Sequence, residues 1–359
     1  YFNNTAADIE KIISISNLGD VGWTSFEGAF WGCTNLTTVS GGNTSGVTNM
    51  DLMFNNATIA TPDTSGWDTS SVESMHGMFA FTDEANPDVS GWNVSKVTDM
   101  SQMFRGAATA NPDVSGWDTS EVTTMAYMFL ATDEANPDVS NWNVSKVEDM
   151  NAMFNVALKA TLTEGTGTTN WDVSNVTDMQ SMFNSTEVAN PDVSGWNTSS
   201  VTTMNAMFHN SVAADPDVSS WNVSEVKNMK HMFQGSEAAT LLVGTGTTNW
   251  NTGKVTNMQE IFKDASVANP DVSGWDVSSV SNMVQMFENA DAATPNTTNW
   301  DTSSVIGMNN MFHSTALANP DVSKWDTSNV TNMSGMFSNA LSANPVTKTD
   351  GNIWNTHKV

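Results

Sequence analysis

Apolar residues recur along this chain at a fixed period rather than in scattered runs. The pattern Val-x-x-Met-x-x-Met-Phe begins at Val47, Val72, Val97, Val122, Val147, Val176, Val201, Val226, Val255, Val280, Val305 and Val330. In one copy, Val97, Met100, Met103, Phe104 and Ala107 fall at i, i+3, i+6, i+7 and i+10. That spacing predicts the apolar stripe of a short helix. Ser stands two residues before the Val in most copies, as at Ser95, Ser120 and Ser145, with Gly253 in one. Both residue types suit a helix N-cap. Ser70 with Glu73, and Ser145 with Glu148, match the spacing of a capping box. Ahead of this segment lies Asp-Val-Ser-Gly-Trp, preceded by Pro. Because Pro cannot donate to a ladder, a strand of about three or four residues is expected just after it.

The tryptophans keep the same register: Trp67, Trp92, Trp117, Trp142, Trp171, Trp196, Trp221, Trp250, Trp275, Trp300, Trp325 and Trp354. Their spacing is 25 residues, except for steps of 29 that end at Trp171, Trp250 and Trp354. The longer steps insert residues before the Trp, in the Gly165–Asn170 and Gly244–Asn249 stretches, which should protrude on one edge. A degenerate copy precedes the first full one, with Trp23, Phe26, Ala29 and Phe30 in the Val, Met, Met and Phe slots. The apolar segment Ile9–Leu18 suits an N-terminal cap. The chain stops at Trp354–Val359, partway into a unit, and solenoids need a cap at each end, so continuation beyond Val359 is expected. One such unit cannot enclose a core, whereas stacked copies can. The expected fold is an α/β repeat solenoid, a leucine-rich-repeat-like right-handed coil of short parallel strands and short helices with about thirteen coils. Residues 1–46 form the cap and degenerate first repeat, and 47–359 hold twelve tandem repeats.

Composition sharpens this picture. All 23 Met occupy the two Met slots of the repeat, and Ile261 fills the remaining one. The methionines are therefore expected to be core, packing beside the aromatic residues that sulfur favours, and not a Met-rich binding surface. The chain carries 39 acidic residues against 12 basic ones, for a net charge of −27, and Arg105 is its single arginine. This argues against nucleic acid and against an anionic membrane surface as partners. One cysteine, Cys33, excludes an internal disulfide framework and a cysteine-based zinc cluster. No apolar run reaches the roughly 18 residues that a membrane span requires.

With Val89 and its equivalents inward, the flanking Asp and Ser should face out along the sheet. The acidic column runs through Asp63, Asp88, Asp113, Asp138, Asp192 and Asp217, and continues at Asp271 and Asp321. Stacked carboxylates repel, and calcium suits oxygens of this kind. The first six are therefore candidate Ca²⁺ ligands, although no calcium-binding motif is present and a solvated, salt-screened face without a cofactor is the leading expectation. Local bonding of each Asp to turn amides is an alternative reading. The adjacent Ser90, Ser115, Ser140, Ser194 and Ser219 are candidates for a ligand-binding face. The Asp or Asn after each Trp, as at Asp68, Asn93 and Asp118, reads as a turn residue or part of an asparagine ladder. The five histidines share no constellation, since His209 and His313 occupy one slot but lie four coils apart. No phosphate loop, nucleophile elbow or zinc motif is present, so catalysis is not expected.

The stretch Trp67–Phe79 and the front copy, Phe26-Glu-Gly-Ala-Phe-Trp-Gly-Cys-Thr-Asn-Leu-Thr, resemble the BspA-type leucine-rich repeats of bacterial surface proteins. That family includes mycoplasma lipoproteins and wall-anchored proteins, and the resemblance covers roughly residues 20–359. It implies a secreted or cell-surface location, a binding role and no catalytic residues. One departure is that Ala-Asn-Pro-Asp-Val-Ser replaces the usual Leu-x-x-Leu-x-Leu-Ser, which should thin the sheet side. The expected function is a non-catalytic extracellular repeat domain of a bacterial surface protein or adhesin. It would act as a monomeric module and bind a protein, peptide or glycan on its sheet face or edge. A structural spacer in a large surface protein is the alternative. An ice-binding solenoid is a further one, suggested by the Thr, Ser and Asn content.

Overall fold

The computed structural model describes residues 9–162, 168, 171–241 and 246–344. Trp354, His357, most of the inserted stretch before Trp171 and the first two residues of the one before Trp250 lie outside the described residues. The chain divides into two compact units, Tyr1–Asn175 and Val176–Val359, and each is a stack of coils.

The Val-to-Ala segment of each repeat is not helical, and the helix expected from its spacing is replaced by a wall of consecutive tight turns. In the copy that begins at Val47, Met53 N–H donates to the Met50 carbonyl and Ala57 N–H to the Phe54 carbonyl. Two four-residue turns thus run end to end, with Met, Met, Phe and Ala at their corners. The alternate amides of Met50, Leu52, Phe54 and Asn56 donate to carbonyls of the next coil, those of Ser74, His76, Met78 and Ala80, at 2.8–3.0 Å. A helix would spend these amides within its own segment. Here an equivalent residue of the neighbouring coil lies in reach and takes them. The apolar spacing is the same in both cases, because turns that close at i+3 also return Met, Phe and Ala to one side.

The third residue of each turn is left-handed, as a type II turn requires. This holds at Leu52 and Asn56 (φ 55° and 59°), Gln102 and Gly106, Tyr127 and Ala131, His231 and Gly235, and at the same two slots in the other copies. In the degenerate front copy both slots are glycine, Gly28 and Gly32 (φ 56° and 70°), the residue that takes this conformation without steric cost. Gly28 and Gly32 are four apart in the stretch on which the family resemblance rests.

Regular strands are few among the described residues: β1 (Ser14–Ile15) pairs in parallel with β2 (Thr38–Val39). Each repeat adds a single parallel bridge, as in the series Ser25, Asn49, Ser74, Asp99, Thr124 and Asp149 of the first unit. The bridging residue lies two positions after the Val, inside the segment expected to be helical. The strand expected at Asp-Val-Ser-Gly-Trp is instead a turn, closed by Trp92 N–H on the Val89 carbonyl at 3.1 Å. The serines proposed as helix caps stand in turns as well. Ser95 N–H donates to Asn93 Oδ1 at 3.1 Å, and Val97 N–H to the Val94 carbonyl. The pairs Ser70–Glu73 and Ser145–Glu148 accordingly cap no helix.

Side-chain ladders bind the coils together. The Met and Phe slots are buried throughout the described full repeats except at the last, where Met333 and Phe337 are half-buried. Phe54 stacks on Phe79 at 5.6 Å in the first unit, and Phe287 on Phe312 at 5.5 Å in the second. The buried tryptophans also form columns, as between Trp117 and Trp142 at 6.3 Å. Most of their indole N–H groups donate to the preceding coil, as Trp117 does to the Val89 carbonyl at 3.1 Å, Trp221 to Val193 at 3.0 Å and Trp300 to Val272 at 3.1 Å, whereas those of Trp67 and Trp325 have no partner among the described residues. The bond satisfies the one polar atom of a buried indole. Where Thr replaces Val in the slot two after Trp, its hydroxyl donates to the next coil, as from Thr119 to the Asn143 carbonyl at 2.9 Å. An asparagine ladder exists, but at the residue before Pro. Asn111 N–H donates to Asn86 Oδ1, and Asn136 N–H to Asn111 Oδ1, both at 3.0 Å. The prolines after these asparagines are buried.

Candidate interaction surface

The six aspartates proposed as cation ligands each sit at the start of a tight turn in their own coil. Asp88 Oδ1 accepts from Ser90 N–H at 3.2 Å and from Ser90 Oγ at 2.7 Å. The same pair of bonds joins Asp63 to Ser65, Asp113 to Ser115, Asp138 to Ser140, Asp192 to Ser194 and Asp217 to Ser219. These are Asx turns, in which a short side chain stands in for a backbone acceptor. The Ser115 hydroxyl and then the Ser115 amide hold the Asp113 carboxyl below its ordinary range, and Ser323 does the same for Asp321. The serines proposed as a ligand face donate their hydroxyls to these carboxylates. Among the described residues, no three His, Cys, Asp or Glu side chains come close enough to share a metal ion. The residue after each Trp makes a second Asx turn, and Ser120 N–H donates to Asp118 Oδ1 at 3.1 Å. Asp68, Asp118 and Asp276 have lowered carboxyl pKa values, chiefly from the hydroxyls of Ser70, Ser120 and Ser278.

The most varied side chains lie elsewhere, on the turn wall, at the positions five, eight and nine residues after the Val. In the second unit these columns carry a charged strip. His231 Nδ1 is 2.6 Å from Gln234 Oε1 and 3.6 Å from Glu260 Oε2. Lys263 Nζ lies 3.7 Å from Glu260 and 4.0 Å from Glu288, and His313 Nδ1 is 3.6 Å from Glu288 Oε1. Gln259 donates to Glu260 Oε1 at 2.6 Å, and Gln285 donates to Glu288. The rings of His209 and His231 stand 5.8 Å apart. These histidines were not expected to meet, because they occupy different slots of neighbouring repeats, which the turn geometry makes adjacent. Burial first, and then the neighbouring His231, lower the His209 pKa; burial also lowers that of His231, against the opposing pull of Glu260.

In the first unit the same columns hold an aromatic and cationic patch. The Arg105 guanidinium carbon lies 5.2 Å from the centre of the Phe81 ring and 5.7 Å from that of Tyr127. Arg105 Nη1 donates to Gln102 Oε1 at 2.8 Å. Sequence reasoning singled out Arg105 only by its rarity. The signal that would have placed it is the pair of glycines in the front copy, which mark where the wall turns and therefore which slots face away from the core.

Comparison with a family model agrees with the repeat organisation. A family described as "Mycoplasma protein of unknown function, DUF285" matches residues 4–93, 24–134, 80–164, 159–243, 240–315 and 291–359. A leucine-rich repeat protein from Bacteroides ovatus, known from a crystal structure, is similar over 89% of this chain and 85% of its own, at 11% identity and a TM-score of 0.39. No curated protein matches the chain in sequence.

Proposed function

Starting from the fact that the chain belongs to this DUF285 family of repeat proteins, we propose that it is a non-catalytic binding module of a bacterial surface protein. In this reading it works outside the cell and recognises an extracellular protein, peptide or glycan. The observation that carries the reading is a division of labour within the repeat. The recurrent Met, Phe, Trp, Asp and Ser are spent on stacking and turns, as in the bonds of Trp117 and Asp113. The residues that differ from coil to coil, such as Arg105, Tyr127, His231, Glu260 and Glu288, collect on the turn wall. A regular scaffold with a varied face is how repeat proteins build recognition surfaces. The sheet face and edge first expected to bind are replaced in this reading by that wall.

The test is an array of glycans and peptides probed with the purified chain and with variants of the wall, among them Arg105→Gln and the double variant His231→Ala, Glu260→Ala. Binding that depends on wall residues but survives Asp113→Asn is the expected result. No binding by a chain whose far-UV spectrum and unfolding midpoint are intact would overturn the reading.

A further inference from the structure

Residues that are rare in this chain converge at one place. Arg105 is the single arginine, Tyr127 is one of only 2 tyrosines, and Phe81 stands outside the Phe ladder. They come from three consecutive coils. Phe81 is exposed at 38%, and Tyr127, Gln102 and Arg105 are half-buried. The Phe81 ring lies against left-handed Gly106, where an added Cβ would come within 2.7 Å of Phe81 Cδ1. Glycine in that slot lets the ring lie across the backbone, and the ring in turn meets the guanidinium.

Arg105 differs from the lysines of this chain that form ion pairs. Lys146 pairs with Glu121, Lys159 with Glu134 and Lys254 with Glu225, as expected in a chain of net charge −27. Arg105 has no carboxylate within ion-pair distance among the described residues. Aromatic rings hold it instead, a favourable arrangement for a guanidinium. Of its five N–H donors, Nη1 donates to Gln102. The Gln102 amide nitrogen and the Tyr127 hydroxyl add further donors. The patch is thus donor-rich, preorganised by stacking and supplied with a single positive charge.

We propose that Phe81, Gln102, Arg105 and Tyr127 form a recognition site for an acidic sugar, with Arg105 taking its carboxylate. This deepens the binding reading above and rests on it. A guanidinium fork matches a carboxylate in two parallel hydrogen bonds. Sugar hydroxyls match the remaining donors, and the C–H faces of a sugar match the negative faces of aromatic rings. One cation with surrounding neutral donors suits a ligand with one carboxylate among many hydroxyls. An acidic peptide would bring several charges toward a strongly acidic protein, which opposes association.

The experiment titrates the full chain with sialyllactose and with a glucuronic-acid-terminated oligosaccharide. Lactose serves as the neutral control, and a short peptide ending in Asp as the alternative source of a carboxylate. The acidic sugars should bind in a salt-sensitive manner, and lactose should bind at least about ten-fold more weakly. Arg105→Gln should cost about ten-fold or more, the range of an interface hot spot. Arg105→Lys, which keeps the charge but loses the fork, should also weaken binding, and Tyr127→Leu should weaken it without altering the fold. Lys146→Gln, in the same unit, should leave it unchanged. The proposal is overturned if lactose binds as well as the acids, if Arg105→Gln leaves affinity intact, or if only the peptide binds. If acidic sugars fail while other array ligands bind through His231 and Glu260, this site falls and the general reading stands. If nothing on the array binds to a folded chain, both fall.

Discussion

At Val156 the backbone is left-handed, with φ at 56°, a conformation that a β-branched residue adopts only under strain. The slot requires it, because the turn closes on the following residue, where Ala157 N–H donates to the Phe154 carbonyl at 3.0 Å. Leu52, Tyr127 and Glu260 make the same compromise in the neighbouring slot, and each costs on the order of 1 kcal/mol relative to a residue at ease there. Val156→Gly should therefore stabilise the protein by a few tenths of a kcal/mol, the strain of about 1 kcal/mol being partly offset by the extra freedom that glycine gives the unfolded chain. An increase in the denaturant midpoint at unchanged slope would show this, and a decrease would mean that the Val156 side chain earns more in packing than its backbone loses. The core was legible at this scale: the Val, Met, Phe and Trp slots found by periodicity are the buried ones. The strained slots were hidden, because twenty of the full repeats' left-handed positions hold residues other than glycine and no residue type marks them.

At the scale of a single repeat, a helix and a pair of consecutive tight turns present the same apolar spacing, and the decision between them is made by where the alternate amides go. Stacked coils offer those amides an acceptor overhead, as Thr124, Ala126 and Met128 do for Met100, Gln102 and Phe104. A single repeat read alone contains no trace of that neighbour. The short acceptors that recur two residues after the Val, at Asn49, Ser74, Asp99 and Thr124, were the available signal, since such side chains favour turns over helix interiors. A far-UV circular dichroism spectrum without the helical double minimum is the expected outcome, and strong helical ellipticity would contradict the turn wall. The Asx turns give a second prediction. Because Asp118 has a lowered carboxyl pKa in the folded protein, chiefly through the Ser120 hydroxyl, its contribution is present above the unfolded pKa. It is lost as pH falls through the folded value. Asn occupies the same slot at Asn93 and Asn143 and holds the same turn without titrating. Asp118→Asn should therefore differ from the parent most above about pH 5 and converge on it as the pH falls below the ordinary carboxylate range, in unfolding midpoints measured side by side. A difference independent of pH would remove the titration from the account.

For the whole molecule the dominant quantity is charge: 39 acidic groups against 12 basic ones within a single chain. Self-repulsion of this size destabilises a compact state and is relieved by counterions. Two kinds of relief are physically distinct. Diffuse screening acts through ionic strength alone, with a Debye length of about 10 Å at 0.1 M salt. Specific binding needs converging oxygens, for calcium about six to eight of them. The arrangement of the acidic column favours screening. The Oδ1 atoms of Asp63, Asp88 and Asp113 are each engaged by a serine of their own coil, and among the described residues no three carboxylates gather at one point. Sodium chloride should therefore raise the unfolding midpoint progressively, and calcium and magnesium chlorides at matched ionic strength should raise it equally. A calcium-specific rise that saturates at low millimolar concentration, and that Asp88→Asn with Asp113→Asn abolishes, would instead make the column a set of cation sites. The two outcomes also bear on recognition. Under screening the acidic column acts at long range and repels polyanions, and the recognition proposed for this chain falls to the few side chains of the turn wall that the stacking does not consume.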